Sequence, residues 1–346
     1  MLTAEFESRA LPLADAFSIS RGTRETADVV LVRVTDDGGR TGVGAATPTA
    51  HYGETPATLD AVLPDLLRAV ERVGDPHALD RIEREMDATV RENPAARAAV
   101  SIAVHDLAAK RLGVPLYRLW GLDPARTPRT SFTVGLGDPE TMAERAEAAV
   151  ERGHGVLKLK LGTDRDRERV EAVREATPDV RVRVDANEAW TPREAVRKSA
   201  WLADAGVEFV EQPVPAQNPE GLRFVYEHGD LPVAADESCR TLSDVPQVAD
   251  RADIANLKLM KCGGLREARR MVATARAHGL EVMLGCMVET SASIAAACHL
   301  TPLVDYADVD GALLLADGAD PYEALDLSDG RIALTDDRPG TGAQPR

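Results

Sequence analysis

From Ser131 onward the chain repeats one pattern of apolar and polar positions. Short apolar or alternating runs, SFTVGL, VLKLKLG, VRVRVDAN, VEFVEQP, LPVAADES, ADIANLKLM, LEVMLGC and VDYADVDG, recur about every 22 to 26 residues. Their length and alternation suit strands. Between them lie stretches such as PETMAERAEAAVERG, DRERVEAVREA, PREAVRKSAWLADAG and LREARRMVATARAHG, apolar at i, i+3 and i+4 and with Gly near several ends, as in amphipathic helices. Strand then helix, repeated to eight strands, predicts a closed parallel barrel. An open doubly wound sheet is the other architecture that uses this alternation.

The N-terminal part reads differently. Strand-like runs at Leu2 to Glu7 and Val29 to Thr35 precede a helical pattern from Pro56 to about Arg111, which predicts an α+β unit. GVPLYRLWG (Gly113 to Gly121) leads toward the first barrel strand, and DPARTPRT has the Pro-rich character of a linker. The expected fold is therefore α/β: a capping domain over residues 1–125 and a modified (β/α)8 TIM-type barrel over 126–318. The tail, 319–346, has too few periodic apolar residues to stand alone and is expected to pack on the first domain. A length of 346 residues suits a barrel of roughly 200 or more residues plus a smaller unit.

Composition narrows the function classes. Hydrophobic residues at 44% with 28% charged ones fit a globular protein, and no run of about 18 apolar residues exists to span a membrane. The opening MLTAEFESRA is acidic and lacks a signal-peptide core, so a cytoplasmic location is expected. A net charge of −16 argues against nucleic acid and against anionic lipid, and in favour of a small-molecule partner. Nothing in the sequence excludes a homo-oligomer. Of 41 basic residues only six are lysine, a balance expected of a halophilic protein in a salt-rich cytoplasm and also of a GC-rich genome that favours Arg codons. Cys239, Cys262, Cys286 and Cys298 show no metal-ligand spacing and read as reduced thiols.

In such a barrel the functional side chains project from the C-terminal strand ends. Read in order, those ends carry Lys158 and Lys160, then Asp185 and Asn187, Glu211, Asp236 and Glu237, Lys258, and finally Asp308 and Asp310. Three successive strands ending in Asp185, Glu211 and Asp236 set hard oxygen ligands side by side, a donor set suited to Mg²⁺. Simple helix capping by each acid is the competing explanation. Four of the six lysines fall in two places, LKLK and LKLMK. Lysine, unlike arginine, can lose its proton when desolvated or placed near another cation, so it can act as a base. The second and sixth strands lie on opposite sides of the barrel, so one amine would face each side of a substrate carbon held between them. Asp308 and Asp310, at i and i+2 on one strand face, can bind a cation together.

KLKLG, RVDANEAW, EQP, ADES, NLKLMKCGG and DVDG together resemble the enolase superfamily, muconate-lactonising subgroup. The resemblance implies Asp185, Glu211 and Asp236 as Mg²⁺ ligands, Lys160 and Lys258 as the acid/base pair and Lys158 as an auxiliary lysine. The Lys-and-Mg²⁺ pairing is a known property of this superfamily. The racemase branch with a His/Asp dyad is disfavoured, since the sixth strand ends in Lys258 and the seventh in LGCMVE. Within the subgroup, the Asp308/Asp310 pair resembles the feature by which dipeptide epimerases hold a substrate's α-ammonium. SRGTRETADVVLVRV resembles the cap loop of L-Ala-D/L-Glu epimerases, which implies Arg21 and Arg24 as candidates for an acidic side chain, with Tyr52 closing over the pocket. The implied activity is 1,1-proton transfer at the C-terminal residue of a dipeptide, through an enediolate. A cycloisomerase or o-succinylbenzoate synthase of the same superfamily, and a non-catalytic metabolite-binding barrel, are the other readings.

Overall fold

The computed structural model describes residues 1–346. Strands β1 (Leu2–Ile19), β2 (Gly22–Asp36) and β3 (Thr41–Ala46) form an antiparallel sheet, on which α1 (Pro56–Val73), α2 (Leu79–Thr89) and α3 (Pro94–Leu112) assemble. Eight parallel strands follow: β4 (Phe132–Val134), β5 (Val156–Lys160), β6 (Arg181–Asp185), β7 (Val207–Glu211), β8 (Val233–Ala235), β9 (Ile254–Lys258), β10 (Glu281–Gly285) and β11 (Tyr306–Asp308). Each pairs with its neighbour in sequence. A parallel bridge from Thr130 to Ala307, with Ser131 N donating to Ala307 O at 3.0 Å, brings the last strand beside the first and closes the barrel. All eight runs read from the sequence are strands. The helical layer is incomplete, with a single turn (Val245–Val248) between β8 and β9 and a short turn (Gly311–Leu314) after β11.

The two-residue period of a strand sorts the barrel side chains. Leu157 and Leu159 of β5 join the large apolar core under the helices, while Lys158 and Lys160 take the other face, inside the barrel. Phe209, Ala234, Ile254 and Met283 make an inner apolar layer with Tyr306 against it. At this level Arg183 is buried, its guanidinium 5.3 Å from the Phe209 ring centre and 5.0 Å from that of Tyr306. It donates to Glu208 Oε2 at 2.8 Å and to Ala307 O at 3.2 Å, so the buried cation is paired. The barrel is plugged below, and its upper end is left for polar groups.

The first domain is larger in strand content than its alternation suggests. β1 and β2 extend well past Glu7 and start well before Val29, and the added length, Ala10 to Ala27, is a mostly exposed hairpin that reaches over the barrel mouth. A segment that buries so little needs no alternation. β3, TGVGAA, was not expected at all. Its glycines serve close packing: a Cβ on Gly42 would lie 2.1 Å from Ala103 O, and one on Gly44 2.1 Å from Ala99 O. Helix α3, rich in alanine and almost wholly buried, accepts this approach.

Asp106 of α3 is fully buried and takes Val43 N at 2.8 Å, Lys110 Nζ at 2.7 Å and Thr341 N at 2.7 Å, tying sheet, helix and tail together. The tail also accepts Leu116 N through Gly340 O at 2.7 Å. No helix is long and apolar enough to cross a membrane, and all four cysteines are free thiols.

Candidate active site

The C-terminal ends of the strands and the tip of the β1–β2 hairpin enclose one cavity. Lys158, Lys160, Asp236, Lys258, Asp308 and Asp310 line it from the barrel, and Arg21, Arg24 and Tyr52 from the first domain. Lys160 on β5 and Lys258 on β9 are four strands apart in an eight-stranded closed sheet, so they stand on opposite walls. Asp185 and Glu211 lie beneath the cavity, fully buried.

The three acids on β6, β7 and the end of β8 each meet amines. Lys160 Nζ is 2.6 Å from Asp185 Oδ2, and Lys258 Nζ is 2.8 Å from Asp236 Oδ2. Lys158 Nζ bridges Glu211 at 3.3 Å, Asp185 at 3.8 Å and Asp308 in a direct ion pair. Three neighbours were given no role from the sequence. Lys261 donates to Asp236 Oδ1 at 2.5 Å, Asn256 Nδ2 donates to Glu211 Oε1 at 2.7 Å, and Asn187 N donates to Asp185 Oδ1 at 2.8 Å. Asn187 was read at the third strand end without a role, and Asn256, two residues before Lys258 on β9, shares that residue's inward face.

Charge explains the pKa pattern. Burial pushes Glu211 up to about 7, helped by Asp185. Burial likewise raises Glu237 to about 8, with Asp236 and Asp185 adding to it. For Asp236, burial is outweighed by Lys258 and Lys261, which hold it below the usual carboxylate range. For Lys258, burial would lower the pKa, but Asp236, Glu211, Glu237 and Asp185 carry it well above the ordinary value. Lys158 follows the same rule, with Asp308 the strongest of its anionic neighbours. The lowered lysine pKa expected from adjacent cations is therefore not supplied by the chain's own groups, because the carboxylates outnumber the amines.

That imbalance fits a divalent cation. Six buried carboxylates (Asp185, Glu211, Asp236, Glu237, Asp308, Asp310) are set among four buried ammonium groups (Lys158, Lys160, Lys258, Lys261) and the Arg21 guanidinium at Glu237, so the acids outnumber the bases. Glu237 Oε2 and Asn187 Oδ1 are buried without a partner. The donors are all oxygen, the set that Mg²⁺ takes.

At β11, Asp308 is satisfied by Lys158 and by Ser131 Oγ at 2.6 Å. Asp310 receives only Thr133, through N at 2.6 Å and Oγ1 at 3.2 Å. Burial, then the adjacent Asp308, pushes Asp310 up to about 6. It is an anion without a cation. The cap arginines also differ. Arg21 is held by Glu188 at 3.1 Å and Glu237 at 2.8 Å, whereas Arg24 reaches the cavity with no carboxylate in ion-pair range. Tyr52 lies under the Arg240 guanidinium, 4.8 Å from its ring centre.

Comparison with known proteins gives the family. The family model described as mandelate racemase / muconate lactonizing enzyme, N-terminal domain, matches residues 2–121, and the one described as enolase C-terminal domain-like matches 141–346. The chain is 38% identical to the L-Ala-D/L-Glu epimerase of Escherichia coli over 96% of this chain and 100% of the relative. Among solved structures it is similar to a dipeptide epimerase from Enterococcus faecalis complexed with Mg and L-Leu-L-Tyr, with a TM-score of 0.92 and 34% identity over 99% of this chain and 98% of the other. It is also similar to an N-succinyl Arg/Lys racemase from Bacillus cereus, with a TM-score of 0.93 and 29% identity over 100% and 95% of the two chains.

Proposed function

The chain belongs to the mandelate racemase / muconate lactonizing enzyme family of enolase-like barrels, and on that premise we propose that it is a Mg²⁺-dependent epimerase acting at the α-carbon of the C-terminal residue of a dipeptide. The observation that carries this reading is the placement of Lys160 and Lys258 on opposite walls of one cavity, above three buried acids. Mg²⁺ held by Asp185, Glu211 and Asp236 would offset the negative charge that grows on the substrate carboxylate and draw those acids away from the lysines.

The chain's own residues do the rest. Asp308 and Asp310 hold the substrate's α-ammonium, with Asp310 supplying the unpaired charge. One of Lys160 and Lys258, as the free amine, takes the α-proton, and the bonding pair moves into the carboxylate. The other, as the ammonium, returns a proton to the opposite face. One C–H bond breaks and one forms, and the two lysines exchange protonation states. Lys158, ringed by Asp308, Glu211 and Asp185, stays charged and serves electrostatically. Arg24 is the unpaired cation available to an acidic side chain, which supports an L-Ala-D/L-Glu-like substrate, with Tyr52 closing the pocket.

Cyclisation or dehydration chemistry on dianionic substrates, and racemisation of an N-succinyl amino acid, would set a carboxylate or an uncharged amide against Asp308 and Asp310, which costs free energy. Incubation with Mg²⁺ and a dipeptide library in D₂O tests the choice. Deuterium at the C-terminal α-carbon of free dipeptides is the expected result; exchange confined to N-acyl amino acids, or turnover of a cyclisation substrate alone, overturns it.

A further inference from the structure

Both loops that cover the cavity meet at one barrel carboxylate, besides separate anchors of their own, Leu136 N donating to Ser18 O at 2.8 Å and Thr47 Oγ1 to Val288 O at 2.8 Å. Glu188 stands in the loop after β6, where Asn187 and Glu188 adopt left-handed backbone with φ of 44° and 69°. Neither is glycine, and such conformations persist where surrounding contacts over-determine them. The contacts here are specific. Glu188 Oε1 accepts Ala216 N at 2.7 Å, which fixes the carboxylate to the loop after β7. Glu188 Oε2 accepts Arg21 Nη1 at 3.1 Å from the hairpin tip, and His51 Nε2, in the turn Ala50–Tyr52, lies 3.0 Å from the same oxygen, with burial and then Arg21 holding the imidazole below its ordinary pKa. The turned Asn187 carbonyl accepts Ser20 Oγ at 3.2 Å and Arg21 Nη1 at 3.0 Å.

Arg21 completes the arrangement by donating its other nitrogen, Nη2, to Glu237 Oε1 at 2.8 Å. His51, Glu188 and Glu237 bring metal-ligating atoms within 4.8 Å of one another. The guanidinium that binds both carboxylates already supplies the positive charge such a group calls for. Tyr52 packs edge-on to the His51 ring at 5.2 Å, so whatever holds His51 also holds Tyr52 over the pocket. No hydrogen bond joins one cap loop directly to the other.

We propose that Glu188 is a positioning residue that latches both cap loops to the barrel and makes the pocket close as one unit. The proposal deepens the epimerase reading and rests on it, because closure matters only if a substrate is to be shielded from water there. Arg21 then acts on the loops through Glu188, and Arg24 is left to face the substrate.

Hydrogen–deuterium exchange of the full-length, Mg²⁺-loaded protein without substrate reads the latch directly. Glu188→Ala should speed exchange roughly tenfold in residues 17–26 and in residues 47–55 together, the scale of a lost hydrogen bond to a charged group. His51→Ala should do so in the second segment alone. Glu188→Gln, of equal size, keeps its carbonyl on Ala216 N only by turning its amide donor toward Arg21, and should loosen residues 17–26, whereas His51 Nε2 can accept from that amide and residues 47–55 should respond less than in Glu188→Ala. With a dipeptide that the native enzyme turns over, Glu188→Ala should raise KM roughly tenfold with kcat changed by less than about threefold. Adding His51→Ala to Glu188→Ala should raise KM no further, because the partner is already gone. Unchanged exchange in either segment, or full additivity of the two substitutions, overturns the latch. The exchange experiment needs no turnover, so a native enzyme inactive on dipeptides would sink the epimerase reading while the latch is still judged separately.

Discussion

Asp310→Asn separates what the pair on β11 does for binding from what it does to stability. Asp310 is buried, receives hydrogen bonds only from Thr133, and lacks a cation. Its carboxyl sits at about 6 against an ordinary 3.8, raised by burial and then by Asp308. A rise of this size corresponds to about 3 kcal/mol of strain carried by the ionised form. Because the folded value is raised, the favourable contribution is complete below pH 3.8 and is lost as pH climbs through about 6. An asparagine keeps the acceptor for Thr133 N and removes the charge. The variant should match the native protein in unfolding free energy below about pH 4 and exceed it by roughly 1 to 3 kcal/mol above pH 6, read by urea unfolding across that range.

Catalysis should move the other way. A charge-assisted bond to an ammonium is worth about 1.5 to 3 kcal/mol, so kcat/KM for a free dipeptide should fall roughly 10- to 150-fold. The N-acetylated form of the same dipeptide has no ammonium to lose and should be affected little. Equal losses on the two substrates, or a variant less stable than the native protein at pH 7, would refute the view that Asp310 is held in reserve for a substrate cation.

Other expectations are independent of that site. His105 and His299 are buried, and burial pushes each down to about 4 from 6.5. Lowered folded values mean stability that is complete above pH 6.5 and lost as pH falls through about 4, with a slope of up to about 1.4 kcal/mol per pH unit for each histidine. His299→Gln should flatten the slope seen in urea midpoints, and an unchanged slope assigns acid unfolding to other groups. Gly44→Ala sets a methyl 2.1 Å from Ala99 O and should cost about 3 kcal/mol or more, visible as a lowered thermal midpoint. A midpoint within the error of the native one would mean that β3 and α3 do not pack this closely. With a net charge of −16, thermal stability should climb from about 0.1 M to about 2 M KCl if the acidic surface is an adaptation to salt. A flat response leaves codon bias as its cause.

The barrel was legible because two simple periods coincide in it. Lys158 with Lys160, and Asp308 with Asp310, are separated by the two-residue period of a strand, so their inward orientation could be read before any contact was known. The Lys-poor composition made LKLK and LKLMK stand out. Asn256 shares an inward face with Lys258, but its partner and that of Lys261, Glu211 and Asp236, lie 45 and 25 residues away, Glu211 two strands over from Asn256 and Asp236 at the end of the neighbouring strand, so the pairings exist only in the closed barrel. Glu188 escaped for a related reason, since its carboxylate faces elements 167 and 137 residues earlier in the chain. β3 went unread because the purpose of its glycines, the approach of α3, belongs to tertiary packing. The long exposed hairpin has no buried face to impose alternation, although its tip carries Arg21 and Arg24 to the pocket.

The role of the two amines is tested most directly by isotope exchange in single variants. Lys160→Ala and Lys258→Ala, each saturated with Mg²⁺, should be given the two separate epimers of one dipeptide in D₂O and followed by proton NMR. Each variant should fail to interconvert the epimers yet exchange the α-hydrogen of one of them, and the two variants should choose opposite epimers. Exchange of the same epimer by both variants, or epimerisation surviving in either, would contradict a proton relay between two walls of one cavity.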